Sequence, residues 1–144
     1  MATGIIVMVN PLAQIQKAKD TNRKSDLSQI QKALETYYQD IGKYPSSTVD
    51  YKIKGLDGNS VVWGSSWQPY MATLPKDPSS SKNYVYNSTS PDGQTYYIYA
   101  SLDRGANDSQ ACNGGAKCNG VPSGAGCGTG ATCNYGVSSL NVSP

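Results

Sequence analysis

Four cysteines are the residues of this 144-residue chain whose type and spacing most clearly indicate chemistry. Cys112, Cys118, Cys127 and Cys133 all lie in the last third of the chain, among Gly, Ala, Asn and Ser residues that cannot pack a core. They form a duplicated C-x-x-G-A-x-C-N unit. Duplication favours a disulfide within each unit, although the two other connectivities are also open. Disulfides indicate that the chain matures outside the reducing cytosol.

The rival interpretation of the cysteines is a metal site, but zinc knuckles use a two-residue spacing that is absent here, and the chain has no His. The lack of His also removes the commonest general base. Glu35 is the single Glu, so the paired carboxylates of a glycoside hydrolase have no candidate. We therefore expect neither an enzyme nor a cofactor. The net charge of +2 also gives no reason to expect a nucleic-acid partner.

The cysteines must be positioned by a folded domain, and the length and composition of the chain allow one domain with a small core. Phe is absent, whereas 11 Tyr and 2 Trp supply the apolar area that a larger aliphatic core would provide. The sequence therefore predicts a small α+β domain with a tyrosine-rich interior.

A long helix is predicted over residues 12–41, which contain no Gly or Pro and follow Pro11. Its second half carries apolar residues at the spacing of one helix face, which we expect to pack on the core. These residues are Leu27, Ile30, Ala33, Leu34, Tyr37, Tyr38 and Ile41. Gly42 and Pro45 end the helix.

The first half of this helix is different. Leu12, Ile15 and Ala18 are followed by eight polar residues, 19–26, that include no apolar position. The pattern predicts that this half is not buried in its own domain and acts as a stalk in an assembly. By themselves, Lys17, Lys19, Arg23 and Lys24 are expected to form a solvated helix face.

The strongest strand signals are residues 84–86 and 95–102, with a turn between them at 87–94. In the second strand, alternation places Tyr96, Ile98, Ala100 and Leu102 on the face that should meet the helix. Residues 61–63 are a possible further strand. The expected sheet is antiparallel, with three or four strands.

This order of parts resembles the type IV pilin and type II secretion pseudopilin family. In the helix, the matching motifs are Val9-Asn10-Pro11, Lys17-Ala18-Lys19, Ser25-Asp26-Leu27 with Ala33-Leu34-Glu35-Thr36-Tyr37-Tyr38, and the end Gly42-Lys43-Tyr44-Pro45. Beyond it, they are Leu74-Pro75-Lys76-Asp77-Pro78, Tyr84-Val85-Tyr86 and Ser90-Pro91-Asp92-Gly93. The resemblance extends from Ile5 to about Leu102.

The resemblance implies a single pilin domain in three parts. Residues 1–42 form the stalk helix, with a truncated apolar stub at 1–9, residues 43–102 form the αβ-loop and the antiparallel sheet, and residues 103–144 form a disulfide-stapled Cys/Gly-rich region. The family's apolar start is missing, so the stub is interpreted as its remnant in a truncated chain.

The implied function is that of a structural subunit of a type IV pilus or a pseudopilus, assembling with copies of itself through the N-terminal helix. Filament assembly is assigned to Ile5, Val9, Pro11, Leu12 and Ile15. The resemblance also implies that the four cations of the helix lie where the stalk leaves the membrane or meets neighbouring subunits; these are Lys17, Lys19, Arg23 and Lys24. The other implied partners are the inner-membrane assembly machinery and, through the missing segment, the membrane. The filament is expected outside the cell or in the periplasm, and the long C-terminal region favours the surface pilus.

Major pseudopilins of this family bind calcium in the loop after the last strand of the sheet. The corresponding residues here make Leu102, Asp103 and Asp108 the candidate ligands. No acidic residue follows Asp108, and Arg104 opposes a cation, so we expect no metal. We expect the cysteine units to stabilise this region in its place.

A second function class is a secreted binding module or adhesin. Trp63, Trp67 and Tyr70 could form an aromatic platform for a sugar, although aromatic residues in a loop also commonly pack over a small core.

Overall fold

The structure is a computed structural model that describes residues 10–144. It contains one long helix, α1 (Pro11–Ile41), and three short strands, β1 (Val85–Asn87), β2 (Tyr97–Ala100) and β3 (Tyr135–Ser138). The strands form an antiparallel sheet in the order β1-β2-β3. Two 3₁₀ helices, Gly105–Asn107 and Cys112–Gly115, lie between β2 and β3. The predicted α+β, pilin-like architecture is confirmed.

Local sequence sets both ends of α1. The side chain of Asn10 accepts hydrogen bonds from the backbone N–H groups of Leu12 (3.2 Å) and Ala13 (3.5 Å), which otherwise have no partner at a helix start. At the other end, Gly42 adopts φ of 82°, and its N–H donates to the carbonyl of Tyr38 at 2.7 Å. None of the helices described for residues 10–144 combines the length and the hydropathy of a membrane span.

The second half of α1 packs on the sheet and forms the main core with it. From the helix, the core includes Leu27, Ile30, Ala33, Leu34 and Tyr37. Opposite them lie Tyr96, Ile98 and Ala100, the alternate residues predicted to face the helix. Two tyrosines of this core have paired hydroxyls: Tyr44 donates to Glu35 Oε1 at 2.9 Å, and Tyr86 donates to the carbonyl of Pro45 at 2.6 Å.

The prediction that Ile41 packs on the core is wrong, because its side chain is 44% exposed. The chain reverses at Gly42 and returns Tyr44 to the core, where its ring lies 4.7 Å from that of Tyr38 and 4.6 Å from that of Tyr96. At this end of the helix, Tyr44 is therefore the buried core residue and Ile41 is not. Tyr38 is half-buried and packs at the edge of this core.

The predicted strand pair is present, with Val85 opposite Tyr99 and Tyr86 opposite Ile98. Residues 61–63 do not form a strand. The region before β1 is instead a set of loops joined by single bridges, such as Ser47 with Ile53 and Trp67 with Met71. Single bridges of this kind order a loop through backbone hydrogen bonds, so the sequence of the loop needs no continuous apolar run of the type that marks a strand.

The third strand comes from the C-terminal region, where no strand was predicted. β3 pairs with β2 so that Val137 lies opposite Ile98. Val137 packs at the edge of the main core. The C-terminal region is therefore part of the sheet as well as being cross-linked by cysteines.

A second, smaller core lies on the face of the sheet opposite α1. Its buried members are Val85, Tyr99, Cys118, Val121, Cys127 and Cys133. Because Val85 and Tyr99 alternate with the residues that face the helix, the two cores occupy opposite faces of the sheet.

Candidate functional site

The first turns of α1 extend beyond the body of the domain. Leu12 is 61% exposed and Ile15 is 53% exposed, and the two are three positions apart on one helix face. Pro11 and Ala18 are exposed as well. Of the five residues predicted to mediate filament assembly, Pro11, Leu12 and Ile15 lie on this projecting segment. Ile5 and Val9 lie outside the described residues.

A cluster of charges lies where the helix meets the domain, centred on Arg23. The Arg23 guanidinium is fully buried and forms a two-bond fork with Asp77, with Nε 2.9 Å from Oδ2 and Nη2 3.1 Å from Oδ1. Its Nη1 lies 2.7 Å from Asp20 Oδ1 and 3.1 Å from Asp103 Oδ2. Nη2 also donates to Ser79 Oγ at 3.1 Å. All three guanidinium nitrogens are therefore paired, as a buried charge requires.

The cluster ties the loop after β2 to the helix. Asp20 accepts the backbone N–H groups of Asp103 and Arg104 at 2.8 and 2.9 Å. Asp103 also pairs with Lys82, with Nζ 2.6 Å from Oδ1. Lys24 lies one helical turn after Asp20 in α1, and its Nζ is 2.6 Å from Asp108 Oδ2. Residues 103, 104 and 108 of the loop are thus bound to charged side chains.

The prediction that residues 19–26 cannot be buried in their own domain is wrong. Asp20 and Arg23 are buried, with 4% and 0% of their surface exposed. Both positions are in phase with Leu27 and Ile30, so the buried stripe of α1 continues into charged residues. This phase relationship was visible in the sequence, but the partner Asp77 lies 54 residues away in the chain and gives no local signal.

The four cations predicted to be solvated or in contact with partners have different environments. Arg23 is buried and Lys24 is paired, whereas Lys17 is exposed. Lys19 Nζ lies 3.4 Å from Ser79 Oγ. Lys17 and Lys24 line a groove of about 540 Å³ between the helix and the loop that contains Arg104.

Protonation equilibria follow these contacts. Burial lowers the pKa of Arg23, but hydrogen bonds to Asp77 and Asp103 outweigh it and leave that pKa above its ordinary value. Burial alone raises the pKa of Asp103, whereas the hydrogen bonds from Lys82 and Arg23 bring it below its ordinary value. The bond from Lys24 lowers the pKa of Asp108. These shifts favour the ionised forms of Arg23, Asp103 and Asp108.

The loop does not fit the calcium ion that the resemblance implies. Leu102 donates its N–H to Asn134 Oδ1 at 2.7 Å, and its carbonyl accepts from Asn134 Nδ2 at 3.3 Å. The carboxylates of Asp103 and Asp108 are bound to cationic side chains. Across residues 10–144, no group of three or more His, Cys, Asp or Glu side chains is placed to hold a metal ion.

The cysteines pair within each repeat unit, Cys112 with Cys118 and Cys127 with Cys133. The two units are joined because Cys118 donates its N–H to the carbonyl of Cys133 at 2.9 Å. Cys127 accepts from the N–H of Asn83, just before β1. The disulfide region is thereby attached to the sheet.

The aromatic side chains proposed as a sugar platform do not form one surface. Trp67 is 2% exposed and packs with Tyr70 against Tyr37 of the helix. Trp63 lies instead against Tyr84, with ring centroids 5.8 Å apart. Packing over the core accounts for these residues.

A long N-terminal helix with its second half packed on a small antiparallel sheet and its first turns projecting defines a pilin-like subunit. The family model for type II secretion system (T2SS) protein G matches residues 10–117. The chain belongs to this family, that of the major pseudopilins, which are structural subunits rather than enzymes. Comparisons with curated proteins and with solved structures gave no match. The sequence resembled both type IV pilins and secretion pseudopilins, and the matching family is that of the secretion pseudopilins. The long C-terminal region had instead favoured a surface pilus.

Proposed function

We propose that this protein is the repeating subunit of a type II secretion pseudopilus and that it assembles with copies of itself through α1. The observation that carries the proposal is the division of the helix. Its second half is fixed to the sheet through the main core, whereas its first turns present Leu12 and Ile15 to solvent. Exposed apolar side chains on a projecting helix are suited to packing against neighbouring helices.

The remaining parts of the proposal follow from the family membership. Before assembly the subunit is anchored in the inner membrane, where the secretion machinery adds it to a periplasmic filament. The two disulfides are consistent with this compartment, because they form and persist outside the reducing cytosol.

The test introduces a charge on the projecting stripe in cells that carry the complete secretion system and the full-length gene. We expect Leu12→Asp and Ile15→Asp to reduce sheared filaments at least about tenfold, because each places a carboxylate in a helix interface. Val49→Asp is the matched control, since Val49 is fully exposed on a loop of the domain. Filaments are counted by electron microscopy.

Equal filament yields from Leu12→Asp, Ile15→Asp and Val49→Asp would contradict assembly through this face. The thermal midpoint of each isolated variant should match that of the unmodified protein, which separates loss of assembly from loss of folding. Filaments that persist after deletion of the secretion ATPase would indicate a separate surface pilus instead.

A further inference from the structure

We infer that Arg23 is the permanent cation on which the loop of residues 102–108 closes, so that this domain orders the loop without a divalent ion. The inference concerns the isolated domain and does not depend on the proposed role in a filament.

The first step is the position of the guanidinium. It contacts carboxylates from three separate segments: Asp20 of α1, Asp77 before β1, and Asp103 after β2. The shortest distances are 2.7, 2.9 and 3.1 Å. A single centre of positive charge that joins oxygen ligands from several segments performs the structural task of a bound metal ion.

The second step is the state of the loop's own oxygen ligands. Asp103 contacts Arg23 and Lys82, and Asp108 contacts Lys24. A calcium ion needs six or more oxygen ligands. To bind it, the carboxylate oxygens of Asp103 and Asp108 would first have to leave their cationic partners. Release of Asp103 would remove one of the three carboxylates that compensate the fully buried Arg23 charge, which is unfavourable.

The third step concerns the disulfides, which were expected to take the place of the metal. They close residues 112–118 and 127–133, both downstream of the loop. Residues 103, 104 and 108 of the loop are bound by side chains of α1, namely Asp20, Arg23 and Lys24. Only Leu102, at the start of the loop, is bound from the second cysteine unit, through Asn134. The charged residues therefore hold the loop to α1, whereas the disulfides close the chain downstream of it.

The first experiment compares thermal unfolding of the unmodified protein in excess EDTA and in excess CaCl₂. We expect the same midpoint to within about 1 °C, because a ligand without a site does not shift the unfolding equilibrium. A midpoint that falls in EDTA and is restored by CaCl₂ would overturn the inference.

The second experiment removes the cation. We expect Arg23→Met to lower the midpoint by about 10 °C, since it leaves three carboxylates without their shared partner. Arg104→Met is the matched control, because the Arg104 side chain makes no hydrogen bond or ion pair within residues 10–144 and should shift the midpoint by about 2 °C at most. Equal shifts in the two variants would refute the role of Arg23.

Two further measurements keep the inference testable if Arg23→Met does not fold. Arg23→Lys keeps the charge but loses the two-bond fork, so its midpoint should lie clearly below that of the unmodified protein. In Asp103→Asn, the backbone amides of residues 103 and 104 should exchange hydrogen faster while that of Leu34 stays protected. Unchanged exchange at residues 103 and 104 together with an unchanged midpoint in Arg23→Lys would sink the inference.

Discussion

The side-chain amide of Asn134 binds both backbone groups of Leu102, accepting from its N–H at 2.7 Å and donating to its carbonyl at 3.3 Å. Both residues are buried, and 32 residues separate them in the chain. Asn134 thus pairs with Leu102 as another strand would, and it links the end of the second cysteine unit to the start of the loop after β2.

Replacing Asn134 tests this link. Asn134→Ala should lower the free energy of unfolding by about 2–4 kcal/mol, because it leaves a buried N–H and a buried carbonyl without partners. The chain offers a matched control in Asn119, the equivalent residue of the first cysteine unit, which is exposed. Asn119→Ala should cost less than about 0.5 kcal/mol. Urea unfolding measures both, and equal losses would contradict the assignment.

Removing the disulfides one at a time should show that they are not equivalent. The chain-entropy model assigns roughly 2 kcal/mol to each, because both close loops of the same length. Cys127 and Cys133 are both buried in the second core, whereas Cys112 is half-buried. Replacing the pair Cys127 and Cys133 by Ser should therefore destabilise the protein more than replacing Cys112 and Cys118.

Chemical denaturation of the two double-serine variants at neutral pH measures the loss of unfolding free energy caused by each replacement. A larger loss from the Cys112 and Cys118 replacement would show that burial in the second core does not determine the difference.

The end of the helix provides a third test. Leu34→Ala should cost about 2–5 kcal/mol, because Leu34 is completely buried between α1 and the sheet. Ile41→Ala should cost less than about 1 kcal/mol, although Ile41 continues the same apolar stripe in the sequence. Unfolding curves in urea give both values. If Ile41→Ala lowered the free energy of unfolding nearly as much as Leu34→Ala, Ile41 would have to be a core residue after all.

Acid should weaken the junction between helix and loop. The pKa of Asp103 is lowered in the folded state, since the bonds from Lys82 and Arg23 outweigh the effect of burial. Its contribution to stability is therefore complete above the unfolded pKa of about 4 and is lost as the pH falls through the folded pKa. We expect Asp103→Asn to flatten the loss of stability below about pH 4.

Asp26 is the control of opposite sign. Burial raises its pKa despite the hydrogen bond from Tyr84, so its contribution is complete at low pH and is lost as the pH rises through the folded pKa. Asp26→Asn should make the acid loss steeper. Free energies of unfolding measured from about pH 3 to pH 6 distinguish the two variants, and parallel curves would disprove this assignment of signs.

Local sequence determined a large part of this protein. Residues 12–41 lack Gly and Pro and are bounded by Pro11 and Gly42, so the extent of the helix follows from short-range stereochemistry. The alternation of Tyr96, Ile98 and Ala100 likewise identified the face of β2 that meets the helix, because side-chain direction in a strand has a period of two. The duplicated C-x-x-G-A-x-C-N unit favoured pairing within each unit, and the two disulfides do join cysteines six positions apart.

The remaining features depend on residues that are distant in the chain. β3 contains only four residues, including Gly136, and it is a strand because β2 provides a partner for it. Arg23 looked like part of a solvated face until Asp77 and Asp103 were brought beside it, since a buried charge is stable only when its partners arrive from elsewhere in the fold. Tertiary structure alone decided that the middle of the helix is held by charges and that its first turns are left exposed.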